Sequence, residues 1–232
     1  MIDGVREVRR AVENGFEITE LYLCQTGITT GNRDALLDIA ARVDTATFLL
    51  PSAIFSKISF GNRNEGVVAV AAERRRDLSD LQLPSNPFLM VLDGIEKPGN
   101  VGAVFRSATA AGVDAILLTN SLCEPFNPNS VRASLGTVFE LPFASCNVTQ
   151  AMDFCERIGV STVVTRVDGD QLYTDCNYQD PIAIVLGSEA AGVQDTWKTC
   201  RSVIIPMKKG MDSLNISATA AVLAFEVARQ RA

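Results

Sequence analysis

The residues best suited to chemistry lie near the C-terminus, between Ile205 and Ser217. This stretch joins a β-branched run to an apolar segment with helical spacing, and it contains Ser213 and Asn215. A hydroxyl, an amide and free backbone N–H groups at the start of a helix can bind an anion or another polar ligand. Because the same residue types are preferred as helix caps, Asp212 or Ser213 could instead simply cap the last helix. The stretch alone leaves both interpretations open.

A glycine-containing connection after the apolar run 88–93 is the second candidate. Its glycines do not have the spacing of the dinucleotide-binding fingerprint, and no acidic residue ends the next predicted strand, 115–119. The P-loop pattern is absent as well, so a nucleotide-phosphate cofactor is disfavoured. Two side chains of interest remain, Asn100 and Arg106. Arg106 lies among small apolar residues, where an arginine is either an ion-pair partner or a ligand contact.

The third candidate is the loop that follows the apolar run 182–186. It begins at Gly187, ends at Gly192 and contains one carboxylate, Glu189. Glycines allow the backbone to approach a flat ligand closely. An ordinary strand-to-helix turn explains the same residues, so this loop alone is a weak signal.

Histidine is absent from the sequence. Its absence excludes Ser-His-Asp and Cys-His catalysis and the commonest zinc sites, and we predict no metal site. Any proton transfer must therefore use arginine, lysine, a carboxylate, a phosphate or water.

The apolar periodicity divides the chain into two α/β parts. Residues 1–75 alternate short helices and strands, which predicts a small α/β unit. Residues 76–87 are polar, charged and interrupted by prolines, as is typical of a linker. Residues 88–232 open with a run typical of a parallel strand that is covered on both faces. The predicted helices are 4–15, 32–43, 54–58, 103–111 and the C-terminal segment, and the predicted strands are 20–24, 47–50, 66–71, 88–93, 115–119, 161–165, 182–186 and 203–205.

The composition, 47% hydrophobic and 21% charged over 232 residues, is that of a globular protein. We find no apolar run of about 18 residues and no basic start followed by an apolar block, so we predict neither a membrane span nor a secretory signal. The six cysteines are widely spaced without a C-x-x-C pair, which is typical of reduced thiols in a cytoplasmic protein.

A net charge of −6 is weakly unfavourable for nucleic-acid binding. Local clusters matter more than the sum, and the chain contains basic clusters in an early helical stretch, at 74–76 and at 208–209. Each cluster alone is also explained as a solvated face.

The three candidate loops become specific when their order is considered. Pro98–Ala108, Ile184–Val193 and Ile205–Ser217 resemble, in order and spacing, the three motifs of the SpoU (TrmH) class of SPOUT RNA methyltransferases. Residues 1–75 are similar to the N-terminal RNA-binding domain of that family, with looser motifs.

The resemblance implies methyl transfer from S-adenosylmethionine to a ribose 2′-hydroxyl in structured RNA, either tRNA or rRNA. It also implies that residues 88–232 form a parallel-sheet α/β domain with a deep trefoil knot. By the same resemblance the cofactor-binding residues are Leu118, Thr119, Gly187, Ile205, Met207, Leu214 and Ser217.

Arg106 is the catalytic residue that the resemblance implies, in contact with the target phosphate and the 2′-oxygen, and Asn100, Glu189, Ser213 and Asn215 position the site. The family assigns Arg106 the role of base. Because an arginine is effectively never neutral, a charged Arg106 could instead stabilise the developing alkoxide while phosphate or water accepts the proton.

The resemblance further implies a homodimer, with the apolar C-terminal helix buried against a second copy. We predict RNA contacts from Arg6, Arg9, Arg10, Arg63, Arg74 and Lys208. A non-catalytic RNA-binding or assembly protein that retains the fold is the main alternative, and a nicotinamide-dependent oxidoreductase is disfavoured by the glycine spacing.

Overall fold

The computed structural model describes residues 1–26, 30–60, 65–74, 76–188 and 192–232. The N-terminal elements are β1 (Ile2–Asp3), α1 (Val5–Glu13), β2 (Ile18–Cys24), α2 (Thr30–Arg42), β3 (Ala46–Leu50), α3 (Ser52–Ile58) and β4 (Val67–Ala71). Within the described residues these strands pair in the order β1-β4-β2-β3. Strands β2 and β3 are parallel, and β4 is antiparallel to both of its neighbours.

The buried faces of the N-terminal helices follow the predicted apolar spacing. Val8 and Ala11 of α1 are fully buried, and no more than 3% of the surface of Leu36 or Ile39 of α2 is exposed. Leu37, the apolar residue next to Leu36 in the sequence, is instead 60% exposed. Adjacent positions on a helix point about 100° apart, so Leu36 and Ile39 set the buried stripe and Leu37 lies beside it.

The C-terminal part is built on parallel strands. Its elements are β5 (Phe88–Asp93), α4 (Pro98–Ala111), β6 (Ala115–Thr119), α5 (Pro128–Ala133), β7 (Phe143–Cys146), α6 (Val148–Arg157), β8 (Ser161–Thr165), β9 (Gln171–Leu172), β10 (Ile182–Leu186), β11 (Arg201–Ile204) and α7 (Ile216–Arg231). The described strands are ordered β7-β6-β5-β10-β8-β11-β9. Every neighbouring pair is parallel.

Both faces of this sheet are covered, as the apolar strand runs predicted. Met90 and Leu92 of β5 face a core shared with α4, α5 and α7, whereas Leu89 and Val91 face a second core with α6 and Trp197. The alternation follows from the two-residue repeat of a strand. Burial in the second core raises the pKa of the Cys155 thiol to about 11. Among the described residues, no helix is both long and apolar enough to cross a lipid bilayer.

Several elements differ from the predicted ones. Helix α4 begins at Pro98 and not at residue 103, because proline is well suited to the first helical position. Strand β11 ends at Ile204, one residue early. The region that contains α5, β7 and α6 is absent from the predicted elements. Helix α5 has only six residues. Helix α6 begins with a capping box between Asn147 and Gln150, a sequence signal that the prediction did not use.

The two parts of the chain pack through aromatic side chains. Phe16 lies edge-on to Phe126 and Phe139, with ring centroids 5.6 and 5.0 Å away. Arg10 of α1 forms an ion pair at 3.8 Å with Glu140 in the C-terminal part.

Helix α7 packs within its own chain. Its apolar face, which consists of Ile216, Ala220, Leu223, Ala224 and Val227, is buried against α4 and the sheet. The expected contact of this helix with a second copy stays a prediction. At the end of the helix, the Arg231 guanidinium donates to the carbonyl oxygens of Tyr178, Asp180 and Asn86 at 2.8, 2.6 and 3.1 Å.

We expect Arg231→Ala to lower the free energy of unfolding by about 2 kcal/mol, because charged donors to three carbonyl groups are lost at once. Thermal or urea denaturation measures the change. Arg42→Ala, which removes an exposed ion pair to Asp38, is the control and should cost only a few tenths of a kcal/mol. Equal effects of the two substitutions would contradict the tethering role of Arg231.

Candidate functional site

The carboxyl ends of the parallel strands meet at one edge of the sheet, where open α/β folds bind ligands. A cleft of about 910 Å³ lies at this edge. Three loops line it, namely those that follow β8, β10 and β11. Five of the predicted site residues are brought together there: Gly187, Ile205, Met207, Ser213 and Leu214.

The loop after β10 requires a glycine at its first position. Ser188 and Gly192 exchange two backbone hydrogen bonds of 2.9 and 3.0 Å, which closes the loop tightly. A Cβ on Gly187 would lie 2.2 Å from the carbonyl carbon of Gly192. Any side chain at position 187 would therefore open this loop. Glu189, predicted to position the site, lies outside the described residues.

Asn215 caps α7 and also joins two of the predicted motifs. Its Oδ1 accepts from the Ser217 backbone N–H at 2.9 Å and from Ser217 Oγ at 2.6 Å. The cap is therefore Asn215, and neither Asp212 nor Ser213 has this role. Asn215 Nδ2 donates to Oδ1 of Asn100, 115 positions earlier, at 3.3 Å. Because Asn100 lies in the first turn of α4, this bond links the loop over the cleft to that helix.

Arg106 projects from α4 into solvent. It makes no hydrogen bond or ion pair with any residue in the described ranges, which disfavours the interpretation of this arginine as an ion-pair partner. The rest of α4 is held tightly, since α7 and α5 both pack against it. A Cβ on Gly102, one turn before Arg106, would lie 2.2 Å from the Ser130 carbonyl oxygen. The helix thus presents an available guanidinium from a fixed position.

Three predicted cofactor residues do not line the cleft. Leu118 and Thr119 are buried at the end of β6, and Ser217 lies in the first turn of α7. Strand β5 separates β6 from β10, the nearest strand whose end lines the cleft, so cofactor contacts from Leu118 and Thr119 stay predictions.

A buried carboxylate that the sequence analysis did not single out joins these segments. Asp93, only 1% exposed, ends β5. One of its oxygens accepts from Thr119 Oγ1 at 2.9 Å and from Asn120 Nδ2 at 3.1 Å, and the other accepts from the Gln194 backbone N–H at 2.9 Å. Asp93 therefore fixes the end of β6 relative to the loop after β10. The sequence does contain a signal for this role, because Asp93 is a charged residue at the end of an apolar strand. A carboxylate buried at such a position requires hydrogen-bond donors.

Three of the four charged residues that line the cleft are paired, and Asp212 has no ion-pair partner among the described residues. Arg166 Nε and Nη2 donate to the two oxygens of Asp168 at 2.9 and 2.7 Å. This fork lowers the pKa of Asp168 and raises the pKa of Arg166. Lys198, also at the cleft, lies 2.6 Å from Asp195. The lining thus carries two neutralised charge pairs and one carboxylate, Asp212, that is not in an ion pair with any described residue.

The predicted RNA-binding residues lie in different environments. Arg9, Arg74 and Lys208 are exposed. Arg10 is tied to Glu140 across the junction of the two parts, and the Nε atom of Arg6 is buried. Arg63 lies outside the described residues.

The cleft suits the S-adenosylmethionine that the resemblance implies. Its volume is within the range of pockets that hold ligands of this size. Leu186, Ile205 and Leu214 supply apolar surface for an adenine ring, whereas Asp168 and Ser213 supply polar groups.

Comparisons with known proteins agree with this geometry. A family model described as the SpoU rRNA Methylase family matches residues 87–225. The 23S rRNA (uridine(2479)-2′-O)-methyltransferase of Streptomyces viridochromogenes is 30% identical, and the match covers 100% of this chain and 83% of that protein. The 23S rRNA (guanosine-2′-O-)-methyltransferase RlmB of Neisseria meningitidis serogroup B is 29% identical, with 96% of this chain and 91% of that protein covered.

A solved structure extends the likeness to the fold. The SpoU methyltransferase AviRb from Streptomyces viridochromogenes, in complex with the cofactor AdoMet, superposes with a TM-score of 0.89 at 27% identity. The superposition covers 99% of this chain and 89% of that chain. These findings confirm the resemblance that the three motifs carried. The chain belongs to the SpoU rRNA methylase family.

Proposed function

We propose that this protein methylates a ribose 2′-hydroxyl in 23S ribosomal RNA. Its family makes it an S-adenosylmethionine-dependent RNA ribose 2′-O-methyltransferase. The choice of 23S rRNA over tRNA is supported by two full-length relatives whose names specify that RNA. The observation that carries the proposal is the Asn215–Asn100 hydrogen bond, which joins the loop over the cleft to the helix that carries Arg106.

The cofactor is held mainly by backbone and apolar surface in this proposal. Gly187, Ile205, Met207 and Leu214 surround it, and the tight Ser188–Gly192 closure keeps the loop after β10 in place. When bound, S-adenosylmethionine supplies a methyl group already activated by its sulfonium. The protein must therefore align the acceptor oxygen with that methyl group and exclude water.

Arg106 supplies the positive charge at the acceptor. Its exposed guanidinium can donate two hydrogen bonds to a phosphate and orient the adjoining ribose. As the 2′-hydroxyl loses its proton, the same charge stabilises the developing alkoxide. Because arginine stays protonated, the proton passes to a phosphate oxygen or to water.

The remaining polar residues hold this geometry. Asn100 and Asn215 keep α4 and the loop after β11 together, and Ser213 lies at the cleft beside them. We retain Glu189 as a positioning residue and Leu118, Thr119 and Ser217 as cofactor contacts, on the basis of the family motifs. RNA binding through Arg9, Arg74 and Lys208 is supported by their exposure.

We also infer that the C-terminal segment is threaded as a trefoil knot. Strand β11 lies between β8 and β9, although these two are consecutive in the chain. The link 166–170 must therefore pass around β11, and a Cβ on Gly169 would lie only 2.4 Å from the Val203 carbonyl carbon. A homodimer would use the outer side of α7, where Phe225 is 53% exposed.

We expect Arg106→Ala to bind S-adenosylmethionine with unchanged affinity and to lose turnover by roughly 10²–10³-fold, because it removes a contact made to developing charge. Transfer of labelled methyl to a 23S rRNA transcript and calorimetry with the cofactor measure the two quantities. Arg157→Ala, an exposed arginine on α6, is the matched control and should behave as wild type. Near-normal methylation by the Arg106 variant would reject the assigned role.

The wild-type measurements also test the non-catalytic alternative. A protein that retained the fold without turnover would bind the transcript and show no S-adenosylmethionine binding in calorimetry.

We expect Asp93→Asn to weaken cofactor binding about tenfold. The amide NH₂ of the new side chain replaces one of the two acceptor oxygens and faces a hydrogen-bond donor, so at least one of the groups that donate to Asp93 loses its acceptor. The loop after β10 is then held less firmly at the cleft. The control is Asp114→Asn. Asp114 Oδ2 accepts the Phe88 backbone N–H at 2.7 Å at the opposite end of β5. Both variants should lose stability, but only the Asp93 variant should lose affinity in calorimetry. Equal affinities for the cofactor would contradict the role of Asp93.

A further inference from the structure

A second cavity, of about 330 Å³, lies between the N-terminal and C-terminal parts of the chain. We call it the aromatic crevice, with a floor formed by Phe16, Phe126 and Phe139 and a rim that carries Glu73, Glu124 and Asn127. Phe126 and Phe139 stack with centroids 5.5 Å apart, and Phe16 meets both edge-on. The floor is therefore a rigid aromatic surface that reaches solvent through a polar rim.

The chemistry of the rim favours a flat ligand with several N–H donors. The exposed carboxylate of Glu124 is a hydrogen-bond acceptor and disfavours a phosphate inside the crevice. Asn127 uses its Oδ1 to cap α5, and its Nδ2 donates to no residue of the described ranges. A guanine base presents adjacent N–H donors on N1 and N2 beside an O6 acceptor, which matches a carboxylate next to an amide nitrogen.

The crevice is built on elements that contact the helix carrying Arg106. The segment 120–127, which carries Glu124 and Phe126, follows β6 at the same edge of the sheet as the cofactor cleft. Ser121 Oγ, which donates to the Cys123 carbonyl oxygen at 2.9 Å, also lies 3.4 Å from the Ile95 carbonyl oxygen in the loop before α4. Helix α5, capped by Asn127, packs directly on α4 one turn from Arg106.

We propose that the aromatic crevice binds an unpaired guanine base of the RNA substrate, near the nucleotide that is methylated. Proteins commonly recognise RNA through splayed-out bases that stack on aromatic side chains and hydrogen-bond through their edges. The base enters the crevice while its phosphate stays outside the acidic rim. This inference rests on the proposed function, since it assigns the site a role in selecting the RNA.

Glu124→Gln tests the proposal, because a bystander carboxylate and a base-binding carboxylate predict opposite changes in the KM for RNA. Removal of a bystander negative charge beside RNA strengthens binding or leaves it unchanged. Loss of a carboxylate that accepts N–H groups of a bound base should instead raise KM for a 23S rRNA transcript about tenfold, with kcat and cofactor affinity unchanged. Glu156→Gln, an exposed glutamate on α6, is the control and should leave KM unaltered.

An unchanged or lower KM for Glu124→Gln would overturn the proposal. Wild-type turnover on the transcript in the same assay tests the proposed function separately, so the two failures are distinguishable.

Ultraviolet cross-linking of the wild-type protein to the same transcript gives a second readout that identifies the base. Mass spectrometry should find a guanine adduct on a peptide that contains Phe16 or Phe126, and the Glu124→Gln variant should lose it. Adducts of another base on these peptides, or adducts only on other peptides, would overturn the assignment.

Discussion

Burial of the Asp93 side chain at the end of β5 costs free energy unless its oxygens accept hydrogen bonds. The structure meets this requirement with donors from Thr119, Asn120 and Gln194, which lie on two other segments. The carboxylate thereby becomes the point at which the end of β6 and the loop after β10 are joined. The position of the loop after β10, which lines the cleft, depends on this junction together with the burial of Val193 and Trp197 in the second core.

The site combines a rigid cleft for the cofactor with one exposed guanidinium, that of Arg106, for the substrate. Backbone segments and apolar strand ends form the cleft, and glycines at positions 187 and 102 allow contacts too close for any side chain. Arg106 is exposed, without a partner in the described residues, on a helix held from two sides. This arrangement suits methyl transfer from an activated donor, in which alignment and charge stabilisation matter more than a strong base.

Much of this could be predicted from the sequence. The continuous apolar runs at 88–93, 115–119 and 182–186 give strands with the predicted bounds, because runs of five or six residues are typical of strands covered on both faces and too short for most buried helices. The three loops could be identified because their order and spacing resemble the family motifs, whereas each loop alone also fits an ordinary turn or helix cap. The meeting of Asn100 with Asn215 could be expected only from the family motifs, since no local pattern encodes a contact over 115 positions.

What the sequence did not reveal has physical reasons. Helix α5 is too short to show a period, and α4 starts at a proline and a glycine that read locally as loop. The role of Asp93 depends on a backbone donor 101 positions away, and the aromatic crevice forms only where the two parts of the chain meet. The apolar stripe on α7 was found correctly, but a stripe alone cannot distinguish a partner helix in the same chain from one in a second copy.

A crystal structure with S-adenosylhomocysteine bound tests the central claim most directly, which is that three distant segments form one cofactor site beside Arg106. We expect the adenosine within van der Waals distance of Gly187, Ile205 and Leu214, with the sulfur directed towards the Arg106 guanidinium. Binding of the ligand elsewhere, or with its sulfur beyond the reach of a ribose from Arg106, would contradict the account.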